Sequence, residues 1–163
     1  MRILGLCGSL QLESANLSLL RVAATKLPTG VELAVFDGLR ALPHFDPDLE
    51  ARAVPDPVAR WRRALADSDA VLIASPEYGH SLPGALKNAI DWVIGSGELE
   101  TKLVGVTAST PGPGRGLRGL EALLVTLGAV RARIVGGTPI VRGPSFERDV
   151  ALLVEALVAA ARE

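Results

Sequence analysis

The feature that most restricts the fold is an alternation of two hydrophobic periods along the chain. Short runs rich in Val, Ile and Leu occur at residues 2–7 (RILGLC), 31–36 (VELAVF), 70–74 (AVLIA), 103–108 (LVGVTA) and 130–135 (VRARIV), each of strand length. Between them apolar residues recur at three- and four-residue intervals, the spacing of one helix face. These sets are Leu17, Leu20, Ala24 and Leu27; Val58, Trp61 and Leu65; Leu86, Ala89, Ile90 and Val93; Leu117, Leu120, Leu124 and Leu127; and Val150, Leu153, Leu157 and Ala161. Five strands thus alternate with five helices. Each crossover helix returns the chain to the same end of the sheet, so an α/β architecture is predicted: a parallel sheet covered by helices on both faces. The five-stranded doubly wound solution has the order 2-1-3-4-5. Runs one and three are apolar almost throughout, as central strands require. VRARIV alternates Arg131 and Arg133 with apolar residues and reads as an edge.

The 163 residues suit one domain, residues 1–163, since a second would lack a core of its own. Residues 39–57 (LRALPHFDPDLEARAVPDP) form the loosest piece and are predicted to be a long loop that moves or meets a partner. With 17 Lys+Arg against 18 Asp+Glu there is no excess positive charge for a phosphate polymer, and no nucleic-acid partner is expected. A single cysteine closes no intramolecular disulfide, and MRILGL enters a strand without the basic segment and apolar core of a secretory leader, so the expected compartment is a reducing cytoplasm. No apolar stretch reaches the roughly 20 residues of a membrane helix, and no membrane association is expected. His44 and His80 lie in separate loops without a ligand array, so no metal is expected. The G-x-S-x-G pattern is absent and neither Ser9 nor Ser75 has a recognisable His partner, which argues against a hydrolase.

Open parallel sheets bind ligands beyond the carboxyl ends of their strands, where the winding reverses. Three loops meet that rim. After the first run comes GSLQLESAN, Gly8 to Asn16, small and hydroxylic, opening a helix. Convergent N–H groups and the helix amino end suit a phosphate there, with Ser9, Ser14 and Asn16 as side-chain donors. The alternative is that Ser14 caps the helix and Asn16 is solvated. The loop is neither a Walker sequence nor GxGxxG, which argues against a nucleoside triphosphate. After the third run comes SPEYGHSLPGALKNAIDW, residues 75–92, with the chain's only tyrosine. Pro76 fixes the backbone, Gly79 permits an unusual backbone angle, and Tyr78 offers a flat face or a hydroxyl. Alternatively Glu77 is solvated and Tyr78 packs. Trp92 extends an apolar helix face and reads as core. After the fourth run comes STPGPGRGLRG, Ser109 to Gly119, which either wraps a ring edge or makes a rigid turn.

These loops resemble the NADPH-dependent FMN reductase family, whose members include quinone, chromate and azo-dye reductases. GSLQLESAN is similar to that family's G-S-L-R-x-x-S-x-N, and SPEYGHSLPGALKNAIDW to its S-P-E-Y-N-x-S-x-P-G-x-L-K-N-A-I-D-W, with similar layout up to about Leu127. The resemblance implies a flavodoxin-like fold and FMN as cofactor. It places phosphate-loop contacts on Gln11, Ser14, Asn16, Leu17 and Ser18 with Ser9 beside them, ring contacts on Pro76, Glu77, Tyr78 and Gly79, and a third-loop contact on Ser109. NADPH or NADH would donate electrons and a small-molecule acceptor would take two in a ping-pong cycle. The cofactor carries that chemistry, so no side chain is named catalytic. A homodimer or homotetramer is implied, and Arg115 or Arg118 stands where a 2′-phosphate could be met or where solvent holds it.

Two departures stand out. Gln11 replaces the family's arginine, so a charge-assisted hydrogen bond becomes a neutral one, a loss on the order of 1 kcal/mol. Gly79 replaces its asparagine and removes a donor near the ring. The rival readings are a flavodoxin-like electron carrier and a binding protein that has lost tight FMN binding.

Overall fold

The computed structural model describes residues 1–162. Five parallel strands, β1 (Arg2–Cys7), β2 (Glu32–Val35), β3 (Ala70–Ala74), β4 (Leu103–Thr110) and β5 (Arg133–Val141), form one sheet in the order β2-β1-β3-β4-β5. This is the doubly wound order predicted from the alternation. Six α-helices cover it: α1 (Ala15–Thr25), α2 (Pro47–Arg52), α3 (Asp56–Ala66), α4 (Gly84–Asp91), α5 (Leu117–Ala129) and α6 (Phe146–Ala160). Among the described residues no helix is long and apolar enough to cross a membrane.

Alternation along β1, β3 and β4 divides the core in two. Leu4, Leu6, Val71, Ile73, Val104 and Val106 pack with Trp61, Leu86, Ile90 and Leu120 of α3, α4 and α5 and with Trp92 at the end of α4. Ile3, Cys7, Ala70, Leu72 and Leu103 pack on the other face with Leu19 and Leu20 of α1 and Val150, Val154 and Leu157 of α6. Each such buried Leu, Ile or Val stabilises the fold by about 1.5–3 kcal/mol relative to exposure. All of β3 is buried, whereas β2 and most of β5 are partly open, as edge strands are.

Three local expectations change. The segment 39–57 is ordered: Leu39–Ala41 is a 3-10 turn, and α2 starts at an Asp46 cap whose carboxylate accepts the N–H groups of Asp48 and Leu49. Asp-Pro at the start of a helix is a readable signal. The same segment is tied down by the end of the tyrosine motif. The Asn88 amide and the Trp92 indole both donate to the Pro43 carbonyl, at 2.9 and 2.8 Å, and the Phe45 N–H donates to Asn88 Oδ1 at 2.8 Å. In α1 the buried set is Leu19, Leu20 and Ala23 rather than a stripe through Ala24, which is exposed.

The fifth strand begins at Arg133 and runs through Gly136, Gly137 and Pro139 to Val141. Arg131 has φ +57 and still belongs to the turn after α5. Val106 pairs with Gly136 but Thr107 with Thr138, so Gly137 is an extra residue in a bulge. A Cβ on Gly136 would lie 2.8 Å from the Val106 carbonyl oxygen. Glycine pairs and proline are tolerated here because the strand is an edge and carries a bulge.

Candidate functional site

The first rim loop leaves β1 in close contact with β3. The Gly8 N–H donates to the Ala74 carbonyl at 2.9 Å, and a Cβ on Gly8 would lie 2.7 Å from Ser75 Oγ. Only glycine allows that approach. Ser9 Oγ accepts the Gln11 N–H at 3.1 Å, a local turn, and lies 3.3 Å from the Tyr78 hydroxyl. Ser14 does cap α1: its Oγ accepts the Asn16 N–H at 3.2 Å. Asn16 is not solvated. It is 4% exposed, and its Oδ1 accepts the Ser109 N–H at 2.8 Å. Leu17 is half-buried, and Gln11 and Ser18 are exposed.

The second loop holds a two-residue hairpin. Tyr78 and Ser81 exchange backbone hydrogen bonds at 2.9 and 3.0 Å, and the residues between them, Gly79 and His80, have φ of +56 and +62. Positive φ at both central positions defines a type I′ turn, for which glycine is well suited. The hairpin projects Tyr78 outward, 52% exposed. Pro76 and Glu77 are half-buried behind it. Glu77 is engaged on both oxygens: Oε2 accepts the Gly119 N–H at 3.1 Å and Oε1 lies 3.1 Å from His80 Nδ1. The Gly119 N–H, and after it the His80 hydrogen bond, hold the Glu77 carboxyl below its ordinary pKa.

The third loop begins later than expected, because β4 continues through Ser109 and Thr110. Ser109 pairs with Ile140 of β5, and its hydroxyl oxygen is buried without a hydrogen-bond partner. Gly116, at φ +82, turns the chain into α5. Arg115 and Arg118 are exposed.

Three hydrogen bonds therefore tie three loops pairwise: Ser9 to Tyr78, Asn16 to Ser109, and Glu77 to Gly119. The rim is closed on itself before any ligand arrives, which lowers the ordering cost of binding. Sequence reading named five of these six residues. It missed Gly119, whose role appears only once α5 packs against the tyrosine hairpin: a Cβ there would fall 2.8 Å from Glu77 Cα and 3.1 Å from the Ser81 oxygen.

Five of the predicted contacts line cavities on opposite flanks of the first loop. A cavity of about 410 Å³ is lined by Ser18 and Ser109 together with Glu13, Arg142 and Phe146. On the β2 side, Ser9, Gln11 and Leu17 line a groove of about 200 Å³ with Arg40, whose guanidinium donates to the Leu10 carbonyl at 2.6 Å. A larger concavity of about 760 Å³ opens among Met1, Gly30, Lys102 and Arg133. It lies at the amino ends of the strands, the end that parallel sheets do not use for binding. The carboxyl rim fits an anionic mononucleotide. Ser109 Oγ lacks a partner, the α1 amino end is capped but open beyond Ser14, and an exposed aromatic stands on a rigid hairpin.

Comparison with known proteins agrees with this geometry. The family profile for NADPH-dependent FMN reductase matches residues 1–144, further than the layout similarity noted above. An NAD(P)H-dependent FMN reductase of Pseudomonas aeruginosa is 38% identical over 91 residues, covering 56% of this chain and 49% of that protein. An NAD(P)H:quinone oxidoreductase of Solanum tuberosum is 41% identical over 95 residues, covering 56% and 48%. The chain spans about half the length of the curated relatives it matches. Among solved structures, the flavoenzyme NAD(P)H:(acceptor) oxidoreductase FerB of Paracoccus denitrificans superposes with a TM-score of 0.86 at 27% identity, covering 99% of this chain and 97% of that one. Oxidised flavodoxin 1 of Bacillus cereus, at 15% identity and a TM-score of 0.70 over 98% of each chain, shares the fold. By the match over residues 1–144, the chain belongs to the NADPH-dependent FMN reductase family.

Proposed function

We propose that residues 1–163 act as one FMN-binding oxidoreductase domain that passes electrons from NADPH or NADH to a small acceptor such as a quinone, free flavin, azo compound or metal oxyanion. The observation that carries this reading is the trio of hydrogen bonds joining the loops after β1, β3 and β4. Bound FMN would supply the two-electron chemistry, accepting hydride from one substrate and passing electrons to the next in a ping-pong cycle.

The chain's own residues do the holding. Asn16 Oδ1 is committed to Ser109, so Ser9, Ser14, Ser18 and Ser109 hydroxyls and the Leu17 N–H at the first turn of α1 would meet the phosphate and ribityl chain. The backbone from Pro76 to Gly79 would border the ring, with Tyr78 against it. N–H groups in that turn are fixed by the hairpin and the Glu77 tether, and they need no reorganisation to stabilise negative charge on a ring. No titrating side chain is required at the reacting atoms, and none is assigned. A homodimer or homotetramer is part of this reading, as the family resemblance implies; Leu117 and Val125, 43% and 76% exposed on α5, are apolar side chains open to a partner, with the exposed Glu121 between them.

Titration with FMN, read by quenching of flavin fluorescence, followed by steady-state oxidation of NADH and NADPH with a quinone, tests the reading. Saturable FMN binding and turnover without an added reductase are expected. FMN binding without NAD(P)H turnover would make the protein an electron carrier, and failure to bind FMN would make it a binding protein of another kind.

A further inference from the structure

We infer that Arg142, in the turn between β5 and α6, supplies the cation for the FMN phosphate that Gln11 no longer provides. The inference rests on the FMN reading above and assigns a residue that the family resemblance did not. Gln11 is exposed and lines the groove on the β2 flank. Ser18 and Ser109 instead line the cavity on the α6 flank, and Arg142 shares that cavity.

Three observations converge on this cavity. The Ser109 hydroxyl oxygen is buried and has no partner, so the site contains a donor awaiting an acceptor. The Arg142 N–H is anchored to the Thr110 carbonyl at 2.9 Å, yet among the described residues its guanidinium makes neither a hydrogen bond nor an ion pair. The first residues of α1 and α6, Ala15 and Phe146, both line the same space; the first turn of α1 carries no acidic residue, so its amino end adds favourable potential for an anion, whereas Glu147 and Asp149 offset that of α6. Arg40, on the other flank, is already held by Leu10. Glu13, exposed, is the acidic residue of the cavity wall itself, while Glu147 and Asp149 behind it are paired with Lys26 and Arg148. The ligand chemistry is a phosphate monoester. FMN is preferred over the 2′-phosphate of NADPH because Ser18 and Ser109 belong to the flavin set.

The test is the Arg142→Gln variant, with wild-type protein and Arg142→Lys alongside. Affinities for FMN and for riboflavin are measured by flavin fluorescence, and KM for NADPH and NADH by absorbance. FMN affinity is expected to fall about tenfold or more in Arg142→Gln, to recover partly in Arg142→Lys, and riboflavin affinity to stay unchanged. The unengaged side chain predicts an unchanged melting temperature without flavin. FMN affinity unmoved by the substitution, with the wild type binding normally, overturns the assignment and leaves the proposed function standing. Loss of NADPH preference with FMN affinity intact also overturns it, moving Arg142 to the other phosphate. A wild type that binds no FMN overturns both.

Discussion

The carboxylate of Glu77 accepts the backbone N–H of Gly119 at 3.1 Å across 42 residues of sequence. This bond fastens the tyrosine hairpin to the first turn of α5, and the missing side chain at Gly119 is what lets the two approach. Glu77 is in this sense a positioning residue: its 23% exposed side chain is turned toward protein.

Gly119→Ala is expected to displace the hairpin. A Cβ would sit 2.8 Å from Glu77 Cα and 3.1 Å from the Ser81 oxygen, both backbone atoms that cannot swing away. Overpacking of this kind costs about 1–3 kcal/mol. A lower melting temperature together with weaker FMN binding is expected, with the far-UV circular dichroism unchanged.

The Glu77 tether is pH-dependent. Its carboxyl is held below the ordinary 4.5 by the Gly119 N–H and then by His80, so the folded state binds fewer protons than the unfolded state in acid. The stabilisation is complete above 4.5 and is lost as pH falls through the depressed folded value. The gap in melting temperature between wild type and Glu77→Gln should therefore narrow on acidification below about pH 4.5. A gap that stays constant down to about pH 3 would show that the ionised carboxylate is not what holds the loop.

At Gly79, φ is +56 and a Cβ would meet nothing within 4 Å. Backbone strain alone then decides which residues fit. Gly79→Asn, the family's residue, is expected to be nearly neutral in thermal unfolding, because asparagine tolerates the left-handed region. Gly79→Val should cost about 1–2 kcal/mol.

Gln11→Arg is expected to tighten FMN binding by roughly 1 kcal/mol in a fluorescence titration, and to restore part of what Arg142→Gln loses. No change in either background would place residue 11 out of reach of the phosphate.

Asn88 offers a control away from the rim. It accepts from Phe45 and donates to Pro43, so Asn88→Ala takes the acceptor from the Phe45 N–H while the Pro43 carbonyl keeps the Trp92 indole, and should destabilise by about 1 kcal/mol. FMN affinity is expected to hold while unfolding shifts to lower temperature.

Strand order and the two-sided core were readable because apolar strand runs and helix-period stripes alternate from Arg2 to Leu127, the additional short helix α2 having no buried residue to mark it. The rim loops were readable because Gly8, Pro76 and Tyr78 have few other reasons to sit between a strand and a helix, whereas Ser14 is accounted for by its cap on α1 alone. Pairwise ties were not readable: nothing local in the sequence says that Asn16 turns inward to Ser109 or that Glu77 reaches α5, since both bonds depend on how separate elements pack. The fifth strand was misplaced for a physical reason. Two glycines and a proline mimic a loop, and their tolerance in a bulged edge strand hid both the strand's true end and the arginine just beyond it.

That bulge also reverses the odd–even count of the strand. Before it, odd-numbered residues Arg133 and Val135 share a side with Leu103 and Gly105; after it, even-numbered Thr138 and Ile140 share that side with Thr107 and Ser109. Arg142 continues the even set and so emerges toward α6. Excising Gly137 would leave the ladder on both sides intact and merely straighten the ribbon. Excising any one residue between Thr138 and Val141 would turn the guanidinium through the sheet to the opposite side, so spacing in this stretch constrains the protein independently of which amino acids fill it.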